Sequence, residues 1–181
     1  MRLKIVQAGE PVLRQAAPPL TRQEMLGDKI QRLIHDMRET MRDAGVGLAA
    51  PQIGLSLQLA VIEDREESLK DLPPRELADK DRRPLPFHVI INPQITSTGD
   101  DEASFYEGCL SLAGFSAVVG RTRRESRSVE ASGWYARILQ HEIDHLHGTL
   151  SLDRMHTRTF TSIDNWNRFW KGKPIGKPSS R

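Results

Sequence analysis

Residues 134–146 read WYARILQHEIDHL. Leu139, Ile143 and Leu146 recur at steps of four and three, which is the spacing of one apolar stripe on a helix. Gly148 follows where a helix C-terminus favours glycine. Within this stretch His141-Glu142-Ile143-Asp144-His145 has the form HExxH. At roughly 100° per residue, His141 and His145 lie only about 40° apart around the axis, one turn apart along it. Glu142 sits beside the pair. Two imidazoles at a fixed separation with a neighbouring carboxylate can hold a divalent ion and take a proton from water activated there. The pentapeptide alone is also compatible with a surface helix that carries two unrelated histidines, although its place on an amphipathic helix favours the ligand reading.

Working outward, Thr21-Arg22-Gln23-Glu24 has the spacing of a capping box. Leu26, Ile30, Leu33, Ile34, Met37 and Met41 then predict an amphipathic helix over 24–44, stopped at Gly45. Upstream of it, Pro11, Pro18 and Pro19 cut residues 3–20 into an extended arm. Leu55 to Ile62 reads as a strand with Leu57, Leu59 and Val61 on one face. His88-Val89-Ile90-Ile91-Asn92 reads as another, ended by Pro93. Further strands are expected over Ser104–Leu112 and Ala117–Val119. Residues 63–86 hold eight acids, six bases and four prolines, and read as a solvated excursion with almost nothing to bury. Residues 120–128, with Arg121, Arg123, Arg124 and Arg127, read as an exposed turn. The expected class is α+β: short, mostly antiparallel strands around the HExxH helix, with an N-terminal amphipathic helix. A single domain spans 1–165, and residues 166–181 form a flexible tail.

Composition narrows the function. The chain has 181 residues, Lys+Arg 26 against Asp+Glu 24, and a net charge of +2. That balance provides no basic footprint for nucleic acid. Hydrophobic residues make up 38% and mean hydropathy is −0.50, and no run approaches the ~18 apolar residues of a membrane span. The single cysteine, Cys109, forbids an internal disulfide, and the N-terminus carries no signal-peptide pattern, so a reducing cytosol is expected.

Two histidines need a third ligand. The extended spacing HExxHxxGxxH is matched as far as Gly148 but has Ser151 at its final position. Asp164 offers a downstream carboxylate. Cys109 offers a thiolate, a strong ligand for Zn²⁺ or Fe²⁺. An isolated cysteine also reads as a small buried core residue.

Three motifs decide among these. Gly45-Val46-Gly47-Leu48-Ala49-Ala50-Pro51-Gln52, Glu107-Gly108-Cys109-Leu110-Ser111 and Gln140-His141-Glu142-Ile143-Asp144-His145 stand in the order GxGLAAxQ, EGCLS, QHExDH. In this the chain resembles the peptide deformylase family, from about Ile5 to Met155. The resemblance implies that Cys109, His141 and His145 bind one divalent metal, Fe²⁺ natively, with Zn²⁺ or Ni²⁺ also taken up. Water on that metal would be the nucleophile, with Glu142 as general base and then general acid. Gln52 and the Leu110 backbone N–H would stabilise the oxyanion. The substrate would be the N-formylmethionyl terminus of newly made peptides, bound as an added strand, with formate released. Gly45 and Gly47 would allow close approach of that strand, or a positive φ. Val46, Tyr106, Trp134 and Ile138, beside His141, are candidates for the wall of the methionine pocket, although Tyr106, Trp134 and Ile138 read equally well as core.

The chain also departs from the family pattern. EGCLS is followed by Leu112-Ala113-Gly114-Phe115 without the usual proline, and Ala131-Ser132-Gly133-Trp134 with Arg158-Thr159-Phe160 is closer to the organellar branch. The start at Met1 argues for a bacterial cytoplasmic protein, with a processed mitochondrial or plastid form as the alternative. About ten residues, a hairpin's worth, are missing between Arg121 and Gly133. Many bacterial members dock on the ribosome through a basic C-terminal helix; here Pro174, Gly176 and Pro178 oppose one, so ribosome contact through this tail is only weakly implied.

Overall fold

Thr21 opens the first helix as its sequence predicts. Its Oγ1 accepts the Glu24 N–H at 3.3 Å, and Glu24 Oε2 accepts the Thr21 N–H at 2.7 Å, closing the capping box on α1 (Arg22–Leu26). The predicted continuous helix is broken, however. Gly27 adopts ψ 144°, outside the helical range, and the chain restarts as α2 (Asp28–Met41). Glycine is among the poorest helix formers, and the periodicity of the flanking apolar residues hid the break. This computed structural model describes residues 2–95, 102–122, 124–125, 131–173 and 175.

After α2 come β1 (Gly47–Ala49) and β2 (Leu59–Asp64). The excursion that follows contains two short helices, α3 (Glu66–Leu69) and α4 (Pro74–Asp79), before β3 (Leu85–Ile91). It is not simply solvated. Glu63 is buried and accepts from Arg38 at 2.8 Å and from Arg42 at 2.9 Å. Asp64 is fully buried and takes both nitrogens of an Arg82 fork at 2.8 and 3.0 Å, and Leu69 is buried as well. A count of charges overstates exposure because it cannot register that the charges are partnered internally.

The expected strand over Ser104–Leu112 ends early. β4 (Glu102–Gly108) stops before Cys109, and Leu110–Leu112 wind into a 3-10 turn. β5 (Phe115–Thr122) runs longer than expected and carries Arg121 inside. That arginine is 4% exposed, so the exposed-turn reading fails there: Glu107 and Asp144 neutralise it in the interior. Arg123 and Arg127 lie outside the described residues. Where a lost hairpin was expected, β6 (Arg124–Glu125) still pairs with β7 (Ala131–Ser132), with Arg124 opposite Ser132; residues 126–130 lie outside the described residues. α5 (Gly133–Leu146) carries the HExxH sequence. β8 (Thr161–Ser162) and α6 (Ile163–Asn165) follow, and Trp166–Trp170 form one π-helical turn. Of the expected tail, residues 174 and 176–181 lie outside the described residues.

Packing explains the order. The first sheet runs β1-β2-β3, all antiparallel, with Leu48 opposite Val61 and Val61 opposite Val89. Every residue of β2 is buried, and its side chains alternate between two helices. Leu59 and Val61 join Ile30, Met37 and Met41 of α2, whereas Ile62 packs with Ala136, Ile138 and Leu139 of α5. Each such buried side chain is worth roughly 1.5–3 kcal/mol. The second sheet, β4-β5-β8, places Gly108 opposite Ser116 and Phe115 opposite Ser162. The N-terminal arm ties together the turns that follow β1 and β4, with the Val6 N–H on the Gln52 carbonyl and the Ala8 N–H on the Ser111 carbonyl. No described helix is long and apolar enough to cross a membrane.

Candidate metal centre and active site

α5 presents His141 and His145 from one side, as a four-residue step requires. The end of β4 delivers Cys109 to meet them. Cys109 Sγ lies 3.3 Å from His145 Nε2, and the two Nε2 atoms are 3.2 Å apart. Among the described residues, these three form the one group whose ligand atoms converge, all within 4.8 Å of one another. Ser151 and Asp164, the other candidates for the third ligand, are not part of it: Ser151 is buried in a separate 3-10 turn and Asp164 is exposed on α6. Two imidazole nitrogens and a thiol sulfur brought this close suit a divalent ion such as Zn²⁺ or Fe²⁺.

Behind the ligands stands a carboxylate to which the motif spacing assigns no role. Glu107 Oε2 is 3.1 Å from His141 Nδ1, which directs Nε2 of that ring towards Cys109 and His145. Glu107 is itself held by Arg121 at 2.7 and 3.2 Å and by Arg137 at 3.1 Å. Burial alone would raise its pKa, but His141 and Arg121 outweigh burial and keep it well below the ordinary carboxylate range. Arg121 reaches on to Asp144 at 2.6 Å, and Arg154 closes on the same carboxylate at 2.7 and 2.8 Å. In His141, burial opposes the charged ring, yet the hydrogen bonds to Cys109 and Glu107 prevail and raise its pKa. His145 goes the other way, lowered by burial and by the neighbouring His141.

Glu142 is 4% exposed, and its Oε2 finds no hydrogen-bond partner among the described residues. Burial lifts its carboxyl to about 7. Gly47 of β1 packs against it so closely that a Cβ there would stand 2.2 Å from Glu142 Oε1. Neither Gly45 nor Gly47 has a positive φ, so what Gly47 demonstrably makes room for is this carboxylate. Gln52 is 1% exposed; its Oε1 accepts the Ala49 N–H at 2.9 Å, which turns Nε2 towards Cys109 Sγ at 3.6 Å and Ser111 Oγ at 3.5 Å.

A cavity of about 450 Å³ opens over these groups. Val46, Leu110, Trp134 and Ile138 wall it, and Gly45, Gly47, Gln52, Cys109, His141 and Glu142 reach it. Tyr106, expected in the same wall, is elsewhere: its ring meets Trp166 edge-on at 6.2 Å, and it lines a different cavity. Side chains alternate along a strand; Glu107 and Phe105 face the arginines of α5 and β5, which turns Tyr106 away. Glu107, Arg121 and Arg137 are site residues that motif spacing does not single out. The signal for Glu107 is its place two residues before Cys109 in the same motif.

The profile of the polypeptide deformylase family matches residues 2–160. A chloroplastic peptide deformylase 1A from tomato (Solanum lycopersicum) is 46% identical over an alignment of 172 positions that covers 89% of this chain but 62% of that relative; the chain thus spans less than two thirds of its length. Peptide deformylase 1 of Bifidobacterium longum is 46% identical over an alignment of 184 positions that covers 96% of this chain and 82% of that relative. Among solved structures, the class I type b peptide deformylase of Acinetobacter baumannii with Met-Ala-Ser bound superposes with a TM-score of 0.72 at 29% identity, covering 86% of this chain and 99% of that one. On sequence, fold and the extent of the match, this chain belongs to the polypeptide deformylase family.

Proposed function

We propose that this chain removes the formyl group from the N-terminal methionine of newly made peptides and releases formate. The observation that carries the reading is the convergence of Cys109, His141 and His145 beside a buried Glu142 carboxyl, whose Oε2 has no partner among the described residues, at the foot of an open cavity. The relatives are named peptide deformylases, and the Acinetobacter structure was solved with the peptide Met-Ala-Ser bound.

Cys109, His141 and His145 would hold one divalent ion, with Fe²⁺ the expected native metal and Zn²⁺ or Ni²⁺ able to take its place. When bound, that ion supplies Lewis acidity for the water and for the formyl oxygen. Glu142 takes the proton from the attacking water and hands it to the departing amine; burial keeps its basicity near neutrality, where both transfers are feasible. Gln52 Nε2 and the Leu110 N–H donate to the oxygen on which charge develops, and a donor of this kind is worth about 3–4 kcal/mol. Val46, Trp134 and Ile138 receive the methionine side chain. Among the described residues β1 is an edge strand of its sheet; Gln52 Oε1 takes its Ala49 N–H, and the outward backbone groups of Gly47 would pair with the peptide.

The test is formate release from formyl-Met-Ala-Ser and from its acetylated counterpart by protein loaded anaerobically with Fe²⁺. Formyl peptide alone should react, and Glu142→Gln should cut the rate by about 10³-fold. Failure of the loaded wild-type protein to release formate would overturn the reading.

A further inference from the structure

The charged excursion between β2 and β3 reaches the wall of the candidate pocket. Arg82 sets its guanidinium 4.9 Å from the centroid of the Trp134 ring, and Lys80 sets its ammonium 5.1 Å from the same ring. Each cation is anchored by a carboxylate of its own: Arg82 by the fully buried Asp64 and Lys80 by Glu76 at 2.8 Å. The turn that carries them is seated tightly. A Cβ on Gly133, which has φ +56°, would meet Asp81 Cβ at 2.6 Å and the Lys80 carbonyl at 3.0 Å. Asp81 itself has φ +45°, and its carboxylate lies 3.4 Å from Ser132 Oγ.

Trp134 needs such support. It lines both the 450 Å³ cavity over Glu142 and a second cavity of about 270 Å³. Its Nε1 is buried with no hydrogen-bond partner among the described residues. The ring packs against the apolar cluster of Ile62, Ile138 and Leu139 but has no hydrogen bond through Nε1 to set its orientation, so the cation–π contacts are what orient it.

We propose that Arg82, held by Asp64 and assisted by Lys80, is a positioning residue that sets the Trp134 wall and thereby the size of the first side chain the pocket accepts. The proposal rests on the deformylase reading for its kinetic consequence but not for its structural one, so the test has two arms. Removing Arg82 alone would strand a buried carboxylate, so the variant of choice is the neutral pair Asp64→Asn/Arg82→Gln, with Arg82→Lys beside it. Lysine keeps a charge for Asp64 but loses the planar stack on the ring.

In the kinetic arm, both variants should raise KM for formyl-Met-Ala-Ser about fivefold to tenfold with kcat within about twofold, and lower the preference for Met over Phe at that position by a similar factor. A purely structural Arg82 would be rescued by Arg82→Lys in selectivity as well as in stability. In the second arm, Trp166→Phe/Trp170→Phe leaves Trp134 as the sole indole, since the chain has three tryptophans. Acrylamide quenching of its fluorescence should at least double in the paired variant. That arm reads the wall even if no peptide is deformylated. An unchanged Met-to-Phe ratio in active protein, or unchanged quenching, overturns the proposal.

Discussion

Gly47→Ala is the sharpest probe of the site, because its effect is set by one contact. The added methyl would stand 2.2 Å from Glu142 Oε1, 2.7 Å from Cδ and 2.9 Å from Cγ. Ordinary contact begins near 3.4 Å, so the carboxylate must withdraw by roughly 1 Å or more, a displacement worth about 10²-fold in rate at a reacting group. The backbone cannot yield instead: Gly47 is paired with Ile62 of β2, and its neighbours Leu48 and Ala49 are fully buried. The side chain gives way, and Glu142 loses its aim while Cys109, His141 and His145 are untouched. Formate release by metal-loaded protein should therefore fall about 10²-fold in kcat/KM, with metal stoichiometry unchanged by elemental analysis. Gly120→Ala in β5 is the control, since its methyl would meet only Glu102 and Ser104 side-chain atoms at 3.6–3.7 Å, and it should stay within about twofold of wild type. A Gly47→Ala protein with near-native rates, or one that loses metal in step with activity, would refute this role for Gly47.

Three further outcomes follow from the charges. Glu107→Gln weakens the acceptor behind His141 Nδ1 and should lower metal affinity 10- to 100-fold in a chelator competition, approximately the range for such supporting groups. Arg121→Ala leaves Glu107 and Asp144 without their shared partner and should cost about 3–5 kcal/mol in urea unfolding; a loss under about 1 kcal/mol would show that the pairing is not needed. Glu63 is held at about 2 by hydrogen bonds from Arg42 and Arg38 that overcome its burial. The unfolded chain takes up that proton nearer 4.5, so the stabilisation is complete above that pH and drains away as pH falls towards 2. It amounts to about 3 kcal/mol at neutral pH. Glu63→Gln should accordingly be less stable than wild type at pH 6, with the gap closing at pH 3; a gap independent of pH would contradict the assignment.

Local pattern is legible in the amino-acid order itself. The repeat of Leu139, Ile143 and Leu146 predicts a helix over 134–146, and the chain is helical over Gly133–Leu146. The stripe Ile30, Met37, Met41 predicts the face that packs on Leu59 and Val61. The capping box is present as read, though Gly27 divides the helix behind it. Such features depend on neighbours a few residues apart, and periodicity records them directly.

Charged residues mislead for the opposite reason. Arg121, Glu63 and Asp64 look exposed in a composition count, and each is buried against a partner 14 to 25 positions away. Whether a charge can leave water depends on its receiving a counter-charge, and that is settled only when elements dock. The amino-acid order by itself determined that two imidazoles project from one helix face with a carboxylate beside them, because a helical turn has a fixed length. The motif resemblance pointed to Cys109, but tertiary structure alone decided how it arrives from 36 residues away, that Gly47 leaves space for Glu142 and that Glu107 backs His141, because those contacts join separate elements whose approach is set by the packing between them.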